Sequence, residues 1–103
     1  FLVTCIEIVR WHHERWDGAG YPDGLNGGII PLTARIMAVA DVYDALRSRR
    51  CYKAPLSHEE SGRILREGSG SQFDPLVIKA FFMVENEIVA AYEAIKENNY
   101  DSE

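Results

Sequence analysis

The sequence has little cysteine, no excess of positive charge and no long apolar run, and each shortage excludes a class of protein. Two cysteines, Cys5 and Cys51, are too few for a disulfide framework or a zinc cluster, so we expect reduced thiols and a cytoplasmic protein. The net charge of −5 argues against binding to a nucleic-acid polymer, which requires a basic face. No apolar run reaches the ~18 residues of a membrane span, so we expect no membrane contact in this segment.

What the sequence does contain is helical periodicity. Its 103 residues are 47% hydrophobic, which is typical of one modest globular domain. Apolar spacing predicts helices over 1–15 and 32–48. A capping box at Ser57 and Glu60 begins a third helix, and Asp74, followed by proline, begins a fourth. We therefore predict an all-α bundle of about four helices, with a long glycine-rich loop between the first two.

The predicted fourth helix carries a heptad-like apolar seam sustained over about 20 residues. Its members step alternately by four and by three residues: Val77, Phe81, Val84, Ile88, Ala91 and Ile95. Such a seam packs on its own domain or on a partner helix.

The most unusual stretch is WHHERWDGAGYP, from Trp11 to Pro22. A lone histidine on an apolar helix face is usually a hydrogen-bonded core residue, but His12 and His13 in succession at a helix end favour ligands for metal. Adjacent helical positions point about 100° apart, so the pair suits two neighbouring metals, or one metal and one substrate contact. Glu14 and Arg15 either face away from the site or secure the helix end, and we favour the interpretation as solvated charges.

The next stretch, 16–31, contains five glycines and two prolines and is predicted to be a long turn-rich loop. A loop of this length in a small domain is usually functional or disordered. Apolar residues within it, including Tyr21, predict that it is ordered.

Charged residues on and after the second helix each admit two interpretations. Asp41 and Asp44 lie among apolar residues, where a carboxylate must be paired, protonated or bound to metal. The basic segment 47–53 is either a set of cations at a helix C-terminus or a clamp for phosphate groups.

Four segments together resemble the C-terminal part of an HD-GYP domain, a branch of the HD phosphohydrolases that hydrolyse cyclic di-GMP. They read HHERWDGAGYPDGLNGGIIP, ARIMAVADVYDAL, SRRCYK and GSGSQFDP, and the matching region runs from His12 to about Phe81. One departure is Cys51, because members of the family often have proline before the tyrosine that follows.

The resemblance implies a role for each matching residue. His12, His13 and Asp41 correspond to metal ligands, and Arg50 and Lys53 correspond to the cations that hold the phosphates of the cyclic dinucleotide. The resemblance also implies roles for the signature loop, which contains Gly20, Tyr21 and Pro22. Tyr21 lies beside the substrate, and all three residues dock partner proteins such as diguanylate cyclase domains.

The chemistry implied by the family uses two or three Fe or Mn ions with a bridging hydroxide that attacks phosphorus in line. No protein nucleophile is required, which agrees with the lack of a Ser-His or Cys-His arrangement in the sequence.

The resemblance also implies ligands that this sequence does not contain, because the His-Asp dyad of the family lies upstream. The chain begins at Phe1, within an apolar periodic pattern and without an initiator methionine. We therefore expect 1–103 to be a single partial domain that is inactive or nearly so alone, with an incomplete metal set. Without the upstream helices, apolar surface is exposed, and this predicts a homo-oligomer. One form of it is a dimer in which the first or last helix is exchanged between the two chains.

Two other functions remain open at this stage. One is a degenerate regulatory module that binds partners through the Gly-Tyr-Pro loop and hydrolyses nothing. The other is a helical dimerisation domain, which only the 77–95 seam supports.

Overall fold

A computed structural model describes residues 1–48 and 53–98, with side chains described as far as Lys96. Those ranges contain no strand, and their helices follow the chain in this order: α1 (Leu2–Trp11), a 3-10 helix (Gly27–Ile29), α2 (Leu32–Arg47), α3 (His58–Glu67), α4 (Pro75–Met83) and α5 (Glu85–Asn98). The prediction of an all-α bundle is confirmed, as is the long loop between the first two α-helices.

The central element is α2, which packs against α1, α3 and α4. Its buried side chains join those of the two later helices and the segment between them in one apolar cluster, which we call the core cluster: Val39, Tyr43, Leu65, Phe73, Ile78 and Phe81. Aromatic rings meet edge to face within it, with 5.2 Å between the ring centroids of Tyr43 and Phe81.

The predicted starts of the third and fourth helices are confirmed. The Ser57 hydroxyl accepts a hydrogen bond from the Glu60 backbone N–H at 3.1 Å, and the Glu60 carboxylate accepts one from the Ser57 N–H at 3.4 Å. At the start of α4, the Asp74 carboxylate accepts from the Leu76 N–H at 2.8 Å. The same carboxylate pairs at 2.7 Å with Arg35 of α2 and so fixes the start of α4 to the centre of the fold.

The single long fourth helix was a wrong prediction, because the helix divides at Val84. This residue has φ −119° and ψ 24°, outside the helical region, and α5 begins directly after it. Apolar spacing did not reveal the break, because Phe81 before it belongs to the core cluster and Ile88 after it packs against that cluster. The seam is also partly open, with Val84 exposed over 47% of its surface.

The first helix ends at Trp11 and not at residue 15 as predicted. His12 forms its C-cap and still donates its backbone N–H to the Ile8 carbonyl. No α1 residue is fully buried, and a run of apolar side chains on the helix is exposed: Leu2, Val3, Ile6 and Val9. No helix in the described ranges combines the length and the apolar character needed to cross a membrane.

Candidate metal and substrate site

The end of α1 holds the His12 imidazole in one tautomer. Its Nδ1 lies 2.7 Å from the Ile8 carbonyl oxygen. A carbonyl oxygen only accepts, so Nδ1 carries the proton and the lone pair of a neutral ring is on Nε2. A histidine that donates one ring N–H to a backbone carbonyl has the arrangement of a metal ligand, with the other nitrogen free to coordinate.

The two histidine rings lie close together. Their centroids are 3.9 Å apart, and the rings are tilted by 41°. The expected separation of about 100° assumed that the helix continued through both residues. The helix ends at Trp11, His12 is its C-cap and His13 lies in a turn.

The signature loop folds back so that Tyr21 stacks on His13. The ring centroids are 5.0 Å apart, with 17° between the ring planes. The outer face of the tyrosine remains open, and 61% of the residue is exposed. Gly20 permits this return, because a Cβ there would lie 2.6 Å from the His13 carbonyl oxygen and would also meet the Arg15 nitrogen.

The prediction that Glu14 is a solvated charge was wrong. The residue is only 4% exposed, and its carboxylate accepts backbone hydrogen bonds from Asp23 at 2.7 Å and from Leu25 at 2.8 Å. One signal in the sequence pointed to this arrangement. A long loop without regular structure leaves many backbone N–H groups without acceptors, and an acidic residue at its start can supply them.

The other charges around the loop lie at its surface. Asp23 accepts bonds from the Trp11 indole N–H at 2.7 Å and from the Arg10 guanidinium at 3.0 and 3.1 Å. The indole bond, followed by the Arg10 bonds, lowers the pKa of Asp23. In the same way, the hydrogen bond from Arg15, followed by that from the Ala19 N–H, lowers the pKa of the Asp17 carboxyl.

The start of the loop is anchored to the turn between α3 and α4. The Trp16 N–H donates to the Gln72 carbonyl at 3.1 Å, and the Asp17 N–H donates to the Ser71 carbonyl at 2.9 Å. The segment GSGSQFDP, one of the four motifs in the sequence, therefore supports the loop through its backbone.

The remaining predicted metal and phosphate contacts are Asp41, Arg50 and Lys53. Asp41 is exposed on α2, Lys53 is half-buried, and Arg50 lies outside the described residues. Within those ranges, no three His, Cys, Asp or Glu side chains come together as a metal-binding group. The structure thus places His12 and His13 side by side and does not bring Asp41 to them.

Two charged residues near the end of α2 have structural partners. Asp44 accepts a hydrogen bond from the Ser48 hydroxyl at 3.1 Å. The Arg47 guanidinium lies 4.7 Å from the centroid of the Tyr92 ring and 3.6 Å from the Glu93 carboxylate. For Arg47 the structure therefore supports the interpretation as a helix-end cation.

The donor set fits a divalent metal in type but is incomplete as a coordination sphere. Imidazole nitrogen and carboxylate oxygen are the donors that iron and manganese sites use. The fixed tautomer of His12 fits a ligand, and the neighbouring His13 ring adds a second donor. The described residues supply no third donor beside them.

Comparison with known proteins bears on this geometry. A family model described as the HD domain matches residues 1–77, from α1 into the start of α4. The chain belongs to the HD domain family. The family resemblance noted in the sequence is thereby confirmed, and α5 lies beyond the matched part of this HD domain.

Several curated relatives of the HD domain act on cyclic dinucleotides according to their names. A probable cyclic di-GMP phosphodiesterase of Vibrio cholerae is 59% identical over 88 residues, which cover 85% of this chain and 20% of the relative. A cyclic di-GMP phosphodiesterase of Thermotoga maritima is 46% identical over 98 residues, covering 95% and 27%. A 3′3′-cGAMP-specific phosphodiesterase 2 of V. cholerae is 42% identical over 89 residues, covering 86% and 17%. The chain thus spans about a quarter or less of the length of these relatives.

Proposed function

We propose that this HD domain is part of a metal-dependent phosphodiesterase that hydrolyses cyclic di-GMP. The observation that carries the proposal is the His12 imidazole, held through Nδ1 beside a second imidazole and an exposed aromatic ring, with no hydrogen-bond partner for Nε2 among the described residues. A purely structural histidine pair has no need of this arrangement. The names of the relatives supply the substrate class.

The metal ligands in this proposal are His12, His13 and Asp41, with two or three Fe or Mn ions in the complete site. When bound, the metals would act as Lewis acids toward the phosphodiester and neutralise the charge that develops on it. The chain's own contribution is orientation. The Ile8 carbonyl fixes the His12 ring, and Tyr21 stacks on the His13 ring. No protein side chain is proposed as a nucleophile.

The substrate contacts in this proposal are Arg50, Lys53 and Tyr21. A guanidinium can bind phosphate oxygens in a bidentate manner, and an ammonium adds a point charge. The open face of the Tyr21 ring suits stacking on a nucleobase, a contact that tolerates any base. We favour cyclic di-GMP over 3′3′-cGAMP because two relatives named for it reach 59% and 54% identity over 88 and 90 residues, against 51% over 64 residues and 42% for those named for 3′3′-cGAMP.

The alternative proposal is a regulatory module that binds a partner through Gly20, Tyr21 and Pro22 and hydrolyses nothing. The exposure of Tyr21 and Pro22 favours it, because exposed aromatic side chains are typical of binding surfaces. A diguanylate cyclase domain would be the partner. Such a module does not require His12 in a ligand tautomer, and for that reason we place it second.

Self-association is a further part of the proposal. The exposed apolar side chains of α1 form a surface of the kind that binds a second copy, with α1 or α5 exchanged between chains. Light scattering after gel filtration at micromolar concentration should give a mass above that of one chain. A single monomeric species would contradict this part.

Metal content is the first test. Elemental analysis of the 103-residue chain, purified without chelator, measures iron and manganese per chain. Metal in stoichiometric amount would support the ligand assignment and would contradict the prediction that the isolated chain has an incomplete metal set.

The decisive test is hydrolysis of cyclic di-GMP and 3′3′-cGAMP by a longer protein that contains this domain. Asp41→Ala should abolish hydrolysis and lower metal content without unfolding the protein. Asp44→Ala is the matched control, because it removes a carboxylate from the same helix that bonds only Ser48 in the described structure. Unchanged turnover in Asp41→Ala would contradict its role as a ligand. Arg50→Ala should raise KM and leave metal content intact.

A further inference from the structure

The loop backbone around Tyr21 is fixed at one point before this residue and at another after it. Before it, Gly20 lies against the chain at His13 and Glu14, where a Cβ would approach within 2.7 Å of the Glu14 Cα. After it, the Glu14 carboxylate holds the backbone N–H groups of Asp23 and Leu25. Tyr21 lies between these two points and has little freedom to move from its place on the His13 ring.

The other contacts that hold Tyr21 are weaker than those of Glu14. Its backbone N–H reaches the His13 carbonyl only at 3.4 Å, and its ring is largely exposed, so little apolar burial keeps it in place. The Asp23 side chain holds the same stretch, but through bonds at the surface, where water competes. The Glu14 bonds are short and are made to the carboxylate of a buried residue, and hydrogen bonds to a charged group are the stronger class.

We propose that Glu14 is a positioning residue that fixes Tyr21 against the His13 imidazole by holding the backbone on the far side of Pro22. The consequence for catalysis rests on the proposed function, in which His13 binds metal and Tyr21 lies beside the substrate. Glu14 itself would touch neither the metal nor the substrate, and it acts through the loop backbone.

The test uses amide hydrogen exchange by NMR on the 103-residue chain with Glu14→Ala, Glu14→Gln and the control Glu7→Gln. Glu7 is the other glutamate near this end of the fold, and its carboxylate makes one long contact, 3.3 Å to the Thr33 hydroxyl. In the unsubstituted protein, the amides of Asp23 and Leu25 should exchange about tenfold or more slowly than that of Gly24 between them, for which the structure shows no acceptor among the described residues. If these three amides exchange at comparable rates in the unsubstituted protein, the proposal is overturned. This result does not depend on whether any variant folds.

In Glu14→Ala, both amides should lose this protection by about tenfold or more, and the nuclear Overhauser contact between the Tyr21 and His13 rings should disappear. The amide of Leu65, in the core cluster, should keep its protection. Glu14→Gln retains one carbonyl oxygen, so one of the two amides should remain protected. Glu7→Gln should change neither.

Two outcomes of the variants would overturn the proposal. One is a ring contact that persists in Glu14→Ala. The other is an equal loss of protection at Leu65 and in the loop, which would show a general structural role. Because no metal or dinucleotide is present in these measurements, a failed hydrolysis assay would count against the proposed function alone.

Discussion

The core cluster and the loop between α1 and α2 are held together in opposite ways. In the core cluster, apolar side chains from three helices exclude water, and Leu65 at its centre has no exposed surface. In the loop, the important groups are acceptors: the Glu14 carboxylate and the carbonyls of Ser71 and Gln72. Apolar burial has no preferred direction, whereas hydrogen bonds fix both distance and angle. The bundle therefore supplies stability, and a few directed bonds supply the geometry of the site.

This difference has a consequence for substitutions. A change of shape in the core cluster should lower the free energy of unfolding of the whole chain. A change of acceptor in the loop should alter local order and leave the global value nearly unchanged. The following predictions test that contrast, from the largest expected effect to the smallest.

The largest effect should come from Leu65→Ala. It removes a fully buried side chain and leaves a cavity, which should lower the free energy of unfolding by about 2 to 5 kcal/mol. Chemical denaturation followed by circular dichroism measures it. The matched control is Leu76→Ala, the same substitution at a residue that is 73% exposed, which should cost less than about 1 kcal/mol. Equal losses would mean that the core cluster is wrongly assigned.

The next effect should come from Asp74→Ala, which removes the N-cap of α4 and the partner of Arg35 together. With Asp74 only 3% exposed, the loss leaves a partly buried guanidinium without its carboxylate, and we expect a cost of about 3 kcal/mol. Asp74→Asn keeps a capping oxygen and should lose less. If both variants lose the same amount in denaturant melts, the cap contributes nothing.

A smaller effect is expected from Tyr43→Phe. The phenol oxygen of Tyr43 accepts a hydrogen bond from Arg47 and lies 3.0 Å from His58 Nδ1, so its removal takes one hydrogen bond from each of two partners, at a cost of about 1 to 2 kcal/mol. Tyr92→Phe removes a hydroxyl whose contact with Ser48 is longer, at 3.3 Å, and should cost less. A larger loss of stability in Tyr92→Phe than in Tyr43→Phe would contradict the importance of the Tyr43 hydroxyl contacts.

The smallest effect concerns acid. Because the bonds from Trp11 and Arg10 lower the pKa of Asp23 below 3.8 in the folded state, the ionised form is favoured on folding. Its stabilising contribution is present above pH 3.8 and is lost as the pH falls through the lowered value. Thermal melts from pH 5 to pH 2 should therefore show a shallower acid decline in Asp23→Asn than in the unsubstituted chain. Parallel curves would contradict this linkage.

The sequence predicted the features that depend on local patterns. The capping box at Ser57, the cap at Asp74 and the second helix follow from residues that lie within a few positions of one another. It did not predict the break at Val84, because the apolar spacing continues across it. It also did not predict the role of Glu14, whose partners are backbone groups nine and eleven residues along the chain.

The same distinction applies to the candidate site. The histidine pair could be predicted from residue type, but the close approach of the two rings could not. The contact of Tyr21 with His13 depends on the return of the loop at Gly20, which no periodicity encodes. The metal, substrate and docking roles all stay predictions, for His12, His13, Asp41, Arg50, Lys53, Gly20, Tyr21 and Pro22.

The break at Val84 also divides the chain into units of unequal cooperativity. No described α5 side chain is fully buried. The helix is held by the partly buried Ile88 and Tyr92, by the hydrogen bond that the Glu85 carboxylate accepts from His58 Nε2, and by the contacts of Arg47 with Tyr92 and Glu93. A segment with so little buried surface can undock at a lower free energy than global unfolding requires. We expect α5 to behave as a separate foldon, so that a protease cleaves it from the bundle under conditions in which α2, α3 and α4 remain intact.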